Sequence, residues 1–428
     1  MQRLIYILFL AIFLTEFLSR SGAAPRVINY IPEILSGIAF VIVIIQAARQ
    51  RYAHIRVIYW ILFFFIVLHI IFGLVLNSTP TTVIFAGIRT YFKYIPLFLV
   101  PLVFTFTNEQ IKKQLKLLLF LAIIQLPIAV YQRMTTNKYT GDYVMGTLDG
   151  SGMLTIFMMC CITVLMAFYI RKQIQTKHFL LFLALLFLPT TINETKITII
   201  LLPLALMIPV FFSTTGSQRV KRLIGSSIAG VICLAIFIPV YDTFMAPRWG
   251  YGLLDFLTME GRLSGYLSKS ERKLELGHVG RVDAVVFPVQ MLAEDPSKML
   301  LGLGIANVSH SKLGDKFIGE YYDDYGHLID SSLSTLMWEI GLLGVFLLLL
   351  LFYLVFKDAL RLRMSEEIIG LVALAWLSIL CIYLLALFYG KIIPSNALSF
   401  LFWYFSGLIA AASARLPNTK RKYHRVGN

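Results

Sequence analysis

The sequence predicts an all-α membrane protein of about twelve transmembrane helices with one large external loop between the ninth and tenth spans. Three observations predict it. Of 428 residues, 58% are hydrophobic and 14% charged, whereas about a quarter of the residues of a soluble domain are charged. Apolar runs of the ~20 residues that cross a bilayer recur along nearly the whole chain. Only residues 241 to 330 form a sizeable stretch outside them. Runs of that length become helices because backbone facing lipid must satisfy its own hydrogen bonds.

The first run, residues 4–19, carries Glu16 and lacks a cleavage site of small residues, so it reads as a retained span rather than a signal peptide. The others fall at 30–48, 57–76, 81–106, 114–132, 152–170, 179–192, 196–213, 223–240, 331–356, 368–389 and 395–413. The chain thus divides into nine spans (1–240), an outer loop (241–330) and three spans with a basic tail (331–428). Cys160, Cys161, Cys233 and Cys381 all lie within spans, where they read as small packing residues and not as a disulfide framework or a metal cluster.

The formal charge of +15 is a topology signal. Arg49, Arg51 and Arg56, then Lys112, Lys113 and Lys116, then Arg171, Lys172 and Lys177 fall on alternate connections. Arg219, Lys221, Arg222, Lys357, Arg361, Arg363 and the tail continue the series on the same side. The positive-inside rule makes that side cytoplasmic, which puts both termini inside and the 241–330 loop in the periplasm or outside the cell. Acidic residues outnumber Lys and Arg in that loop, so no nucleic-acid partner is expected.

Within the loop, stretches such as "GLLDFLTMEGRLSGYL" alternate apolar and charged residues as short interfacial helices do. "LGLGIANVSH" lacks the preceding strand and third glycine of a dinucleotide site and reads as a tight turn. No phosphate-binding loop with its lysine occurs, which argues against ATP hydrolysis by the chain itself.

Ionisable residues inside apolar spans cost about 2.5–3.5 kcal/mol on insertion scales, which singles out Glu16, Glu33, His69, Arg89, Lys93 and Glu339. Arg89 and Lys93 are four apart and share a helix face. Two cations there repel unless an anion separates them, and that anion is either a carboxylate such as Glu16 or Glu33 or the phosphate of a lipid ligand. His69 reads as a packing histidine and Glu339 as a buried hydrogen-bonding residue. Lys196 opens a span, where a lysine can snorkel to the headgroups.

The order of these features resembles the O-antigen ligase and O-antigen polymerase superfamily. The resemblance rests on "GIRTYFKYIPLF", "GDYVMGTLDGSGML", a charged residue opening the eighth span, then "GR", "LLGLG" and "WEIGLLG" around the outer loop. It implies a GT-C-like bundle in a bacterial inner membrane. The implied activity is metal-independent, cofactor-free glycosyl transfer from undecaprenyl pyrophosphate. A chain-length regulator is a candidate protein partner.

Arg281 in "HVGRVDAVV" matches the family's loop arginine. Lys196 in "NETKIT" stands where the family has an arginine, keeping the charge and losing the bidentate fork. Asp330 falls where ligases carry a histidine, and His327 lies three residues earlier. The acidic "DS" favours a polymerase; a ligase would differ in its acceptor.

Glycosyl transfer needs cations against the leaving diphosphate and a base for the attacking hydroxyl. Arg281, Lys196, Arg89 and Lys93 are the candidates for the first role, and Asp330 or His327 for the second. Each has a plainer reading: Asp330 as a helix N-cap, Arg281 in a loop ion pair with Asp283 or Glu294, His327 as a solvent-facing loop residue. The rival class is a flippase for lipid-linked oligosaccharides. Twelve spans suit it, but the lack of two similar halves does not.

Overall fold

The computed structural model describes residues 1–50, 55–135, 141–193, 195–213, 217–259, 261–268 and 279–416. Among them the regular structure is helical, without a strand. All twelve apolar segments expected from the sequence are helical, beginning with α1 (Gln2–Arg20), α2 (Ile31–Gln50) and α3 (Val57–Leu76). The fourth is broken. α4 (Thr81–Phe92) and α5 (Ile95–Val103) meet at 48°. Pro96 lacks the N–H that would bond the Phe92 carbonyl, Leu97 N–H turns to the Tyr94 carbonyl at 3.0 Å, and the Lys93 carbonyl so released accepts from Ser36 Oγ at 2.6 Å.

α6 (Asn108–Thr135) leads to α7 (Ser151–Ile170), which is apolar all round and buried from residue 153 to residue 168. A helix without a polar face belongs at the centre of a bundle. α8 (Thr176–Ile192) and α9 (Thr198–Ser213) are only 17 and 16 residues long. Asn193 and Thr195 of their connection are buried: Asn193 Nδ2 donates to the Ser151 carbonyl at 2.9 Å and to Thr155 Oγ1 at 2.8 Å. α10 (Ser217–Trp249) runs beyond the expected end at residue 240.

The expectation of twelve crossings is corrected accordingly. Nine described helices are long and apolar enough to span a bilayer, or ten with the α4–α5 pair; α8 and α9 fall short of ~20 residues.

The segment between α10 and α16, external in the topology the charge pattern predicts and hereafter the outer segment, carries α11 (Leu253–Thr258), α12 (Arg262–Leu267), α13 (Asp283–Met291), α14 (Pro296–Leu301) and α15 (Tyr322–Tyr325). It closes around a small apolar cluster of its own that includes Ala284, Leu303, Val308 and Leu328. Trp338 of α16 (Ser332–Leu362) belongs to that cluster, and Tyr325 stacks on it at 4.5 Å. α17 (Ile368–Tyr389) and α18 (Asn396–Arg415) complete the bundle, α17 packing on α7, α9 and α16 and α18 on α5 and α16.

α16 is kinked at Gly341, whose φ is 61°. The kink frees main-chain carbonyls that the outer segment and α3 then use. Leu303 N–H donates to the Trp338 carbonyl at 2.8 Å and Gly304 N–H to that of Glu339 at 3.0 Å. His69 Nε2 bonds the Ile340 carbonyl at 2.7 Å, so this histidine is a buried packing residue as expected. The "LLGLG" turn therefore joins two pieces of the outer segment and is also laid onto the kink.

Inter-helix contacts sort the connections into two ends. At one, Arg56 pairs with Asp358 at 2.7 Å, Arg171 donates to the Arg363 carbonyl, Arg363 Nε to that of Phe212 at 3.2 Å, and Arg415 to that of Pro101 at 2.9 Å. This is the basic set. The other end gathers the α4–α5 break, the α7 N-terminus, the α17–α18 connection and the outer segment.

Candidate anion-binding site

A cavity of about 290 Å³ lies where the outer segment meets the break between α4 and α5. Four cations line it: Arg89, Lys93, Lys312 and Lys391. His310, Ser309, Ser332, Thr335 and Tyr322 add hydrogen-bonding groups, and among the described residues no carboxylate lines it. The α4–α5 break sets Lys93 at a bend, where it reaches Asn396 Oδ1 at 2.7 Å and the Pro394 carbonyl at 3.3 Å.

The anion between Arg89 and Lys93 is Glu33. Arg89 binds both of its oxygens at 2.7 Å, and Lys93 lies 3.9 Å away. The carboxylate reading of this pair is therefore correct for Arg89, whose fork is filled. Lys93 keeps looser partners and remains on the cavity wall. Of the motif "GIRTYFKYIP", Tyr91 completes the wall, and its hydroxyl donates to Glu339 Oε2 at 2.5 Å.

Glu339 explains how the opposite wall is held. Buried in α16, it accepts from Ala306 N–H at 2.8 Å and Ser309 N–H at 3.0 Å. These bonds fix the backbone that presents Ser309, His310 and Lys312 to the cavity. Glu339 supports the site without lining it.

Arg281 and Lys196 form a neighbouring cluster rather than part of that wall. Lys196 Nζ stands 3.8 Å from the centre of the Phe256 ring and 5.3 Å from that of Tyr266. The Arg281 guanidinium lies 5.9 Å from the same Tyr266 ring and 4.8 Å from Tyr389. Tyr266 thus stands between the two predicted cations. Arg281 Nε pairs with Asp330 Oδ2 at 3.2 Å, and its Nη1 donates to the main-chain carbonyls of Asp330, at 3.1 Å, and Tyr389. Its carboxylate is Asp330 and not Asp283 or Glu294.

Asp330 is also not the helix cap: Ser331 Oγ caps α16 by accepting from Ser334 N–H at 3.2 Å. The Asp330 carboxylate is free of that duty and turns to Arg281. Ile329 and Ser332, on either side in sequence, line the cavity, so the two clusters share one wall. Lys391 links them electrostatically. Burial of its ammonium group pushes its pKa below the usual lysine value, the Asp330 carboxylate opposes that, and Arg281 adds to it.

His327 is exposed on the short turn Gly326–Leu328 and is not among the cavity residues. His310, Lys312 and Lys391 are, and sequence motifs did not identify them. Among the described residues no three His, Cys, Asp or Glu side chains converge as a metal ion requires.

A second cavity, of about 340 Å³, adjoins the first and shares Tyr91 and Ile393 with it. It descends between α3, α5, α16 and α18 and is almost entirely apolar, with Trp60, Phe63, Leu348, Phe352 and Trp403 along it. The pair offers cations at one end and a hydrocarbon-like groove at the other, the binding requirements of an anionic head on an apolar chain. Compared with known protein families and with curated proteins, the chain matches no family model and no curated protein.

Proposed function

We propose that this chain is a polyprenyl-diphosphate-dependent glycosyltransferase that lengthens a surface polysaccharide, the O-antigen polymerase reading of its motifs. The observation that carries the proposal is the junction at Tyr91 and Ile393, where a cavity ringed by Arg89, Lys93, Lys312 and Lys391 meets an apolar groove. A carrier lipid fits that junction with its diphosphate among the cations and the near end of its chain in the groove. Amphipathic shape of this kind does not suit a free sugar nucleotide.

In the proposed reaction the hydroxyl of an acceptor sugar attacks the anomeric carbon of the donor glycan. The new glycosidic C–O bond forms as the bond to the diphosphate breaks, and the diphosphate leaves with the electron pair. Lys93, Lys312 and Lys391 stabilise the charge that grows on it. Asp330, held by Arg281 on the shared wall, takes the hydroxyl proton. His327, exposed beyond that wall, is the weaker candidate for this step.

The test is reconstitution of the purified chain in liposomes with lipid-linked repeat units. Glycans that lengthen support the reading, and Lys312→Ala with Lys391→Ala suppresses the lengthening. Movement of the lipid across the bilayer without lengthening replaces it with a carrier.

A further inference from the structure

A separate cavity, of about 590 Å³, opens at the basic end of the bundle between α7, α8, α9 and α10. Its walls are apolar: Phe179 and Leu180 from α8, Leu206 and Val210 from α9, Ala229 from α10. Its rim is cationic, with Lys172 from the α7–α8 turn and Lys221 and Arg222 from the start of α10, and no carboxylate lines it among the described residues. The space is not filled by the fold itself: a Cβ added at Gly225, on the α10 wall, would meet no atom within 4 Å.

Two further observations bear on the occupant. Lys172 has φ +55°, the left-handed conformation that usually follows a helix and usually belongs to glycine. The chain places an exposed ammonium group there at a conformational cost, and α7 is closed by Lys172 N–H on the Tyr169 carbonyl at 2.9 Å. Beside the opening, Ile224, Ile228 and Val231 of α10 are 56%, 55% and 65% exposed. α10 is long and apolar enough to span a bilayer, and Leu180, on the cavity wall itself, is 53% exposed, so the cavity opens along the apolar flank of the bundle and not only at its basic end.

We infer that this cavity binds one anionic diacyl phospholipid from the leaflet at the basic end. Its phosphate sits among Lys172, Lys221 and Arg222, and an acyl chain lies between α8, α9 and α10. A soluble anion would satisfy the rim and leave the apolar walls wet. A zwitterionic lipid would set a choline against three cations. The site is independent of the carrier-lipid cavities at the other end and stands or falls without them.

The experiment is native mass spectrometry of the full chain released from nanodiscs of dioleoylphosphatidylglycerol mixed with dioleoylphosphatidylcholine. One phosphatidylglycerol is retained per chain, with at least tenfold preference over phosphatidylcholine. The triple variant Lys172→Gln, Lys221→Gln, Arg222→Gln loses the preference. Gly225→Leu, or Ala229→Leu from the next turn, keeps the charges, fills the space and also lowers retention. Lys112→Gln, Lys113→Gln, Lys116→Gln on α6, at the same basic end, leaves retention within twofold. Millimolar inorganic phosphate does not displace the lipid. Equal retention of the two lipids overturns the inference, as does a preference that survives the triple variant. So does displacement by phosphate, or a loss in the α6 variant as large as in the triple variant.

Discussion

Gly302 and Gly341 lie backbone against backbone, so that a Cβ on either would come within 2.6 Å of the other's amide nitrogen. Both also have positive φ, 76° and 61°. Gly302, with ψ −175°, occupies backbone space that is essentially glycine's alone, so Gly302→Ala meets a conformational penalty of about 1–3 kcal/mol and, in addition, a backbone overlap that no side-chain rotation relieves. Its thermal transition in detergent falls by several degrees, whereas Gly225→Ala, with open space around its Cβ, holds or gains stability. Equal transitions for the two would contradict this geometry.

Glu339 accepts from two main-chain amides and the Tyr91 hydroxyl. Glu339→Gln turns an NH₂ group towards one of those donors and leaves it unsatisfied in a buried site, at about 1–3 kcal/mol. Tyr91→Phe removes one donor and leaves the other two in place, so it costs less. A double-mutant cycle on thermal stability gives strongly coupled effects if the contact is as described.

Arg89 and Glu33 form a partly buried, bidentate ion pair. Removing one partner strands the other, at about 3–5 kcal/mol for a buried pair, so Arg89→Met lowers the yield of folded protein. The companion change Glu33→Leu in the same chain restores much of it. An anion-binding role for Arg89 alone would predict normal folding of the single variant, and no rescue.

Arg281 makes contacts that lysine cannot reproduce: one ammonium group cannot serve the Asp330 carboxylate and two carbonyls with the guanidinium's geometry. Losing one or two charge-assisted bonds, at about 1.5–3 kcal/mol each, reduces the proposed elongation roughly tenfold or more in Arg281→Lys. Tyr266→Leu, which takes away the ring between Arg281 and Lys196, gives a smaller loss. Wild-type rates in Arg281→Lys would remove this residue from the reaction.

Lys391 supplies a pH dependence with a definite sign. Its folded-state pKa lies below that of an exposed lysine, chiefly through burial, so the folded chain releases this proton at lower pH than the unfolded chain. This contribution to stability is unfavourable below the folded value and is relieved as pH rises from there towards ~10.4. Binding of an anionic head group runs the other way and weakens over the same rise. Lys391→Arg stays charged throughout, and its activity declines less between neutral and alkaline pH. Parallel pH profiles for the two proteins would show that Lys391 does not face the anion.

The helices were legible because crossing a bilayer demands long apolar runs, and all twelve such segments are helical. Their lengths were less so. The shortening of α8 and α9 depends on Asn193 finding Ser151 and Thr155 of another helix, a contact with no local signature. Arg281, Lys196 and Asp330 were singled out by motif, and the fold brings them around Tyr266 and the α16 start. His310, Lys312 and Lys391 were missed because they sit in unremarkable turns and meet only in three dimensions. A signal for Lys391 did exist: in "FYGKIIPSN" it is a lone lysine between two apolar spans, on the side the charge bias leaves poor in cations.

The bend at Gly341 ties the aqueous and greasy halves of the molecule into one cooperative unit. The carbonyls it releases are quenched from above by Leu303 and Gly304 and from the side by His69. Excising the outer segment would leave naked acceptors facing hydrocarbon, which has nothing to offer them. That portion of the chain cannot behave as a detachable flap; its loss should unravel α16 from its N-terminal turn onward.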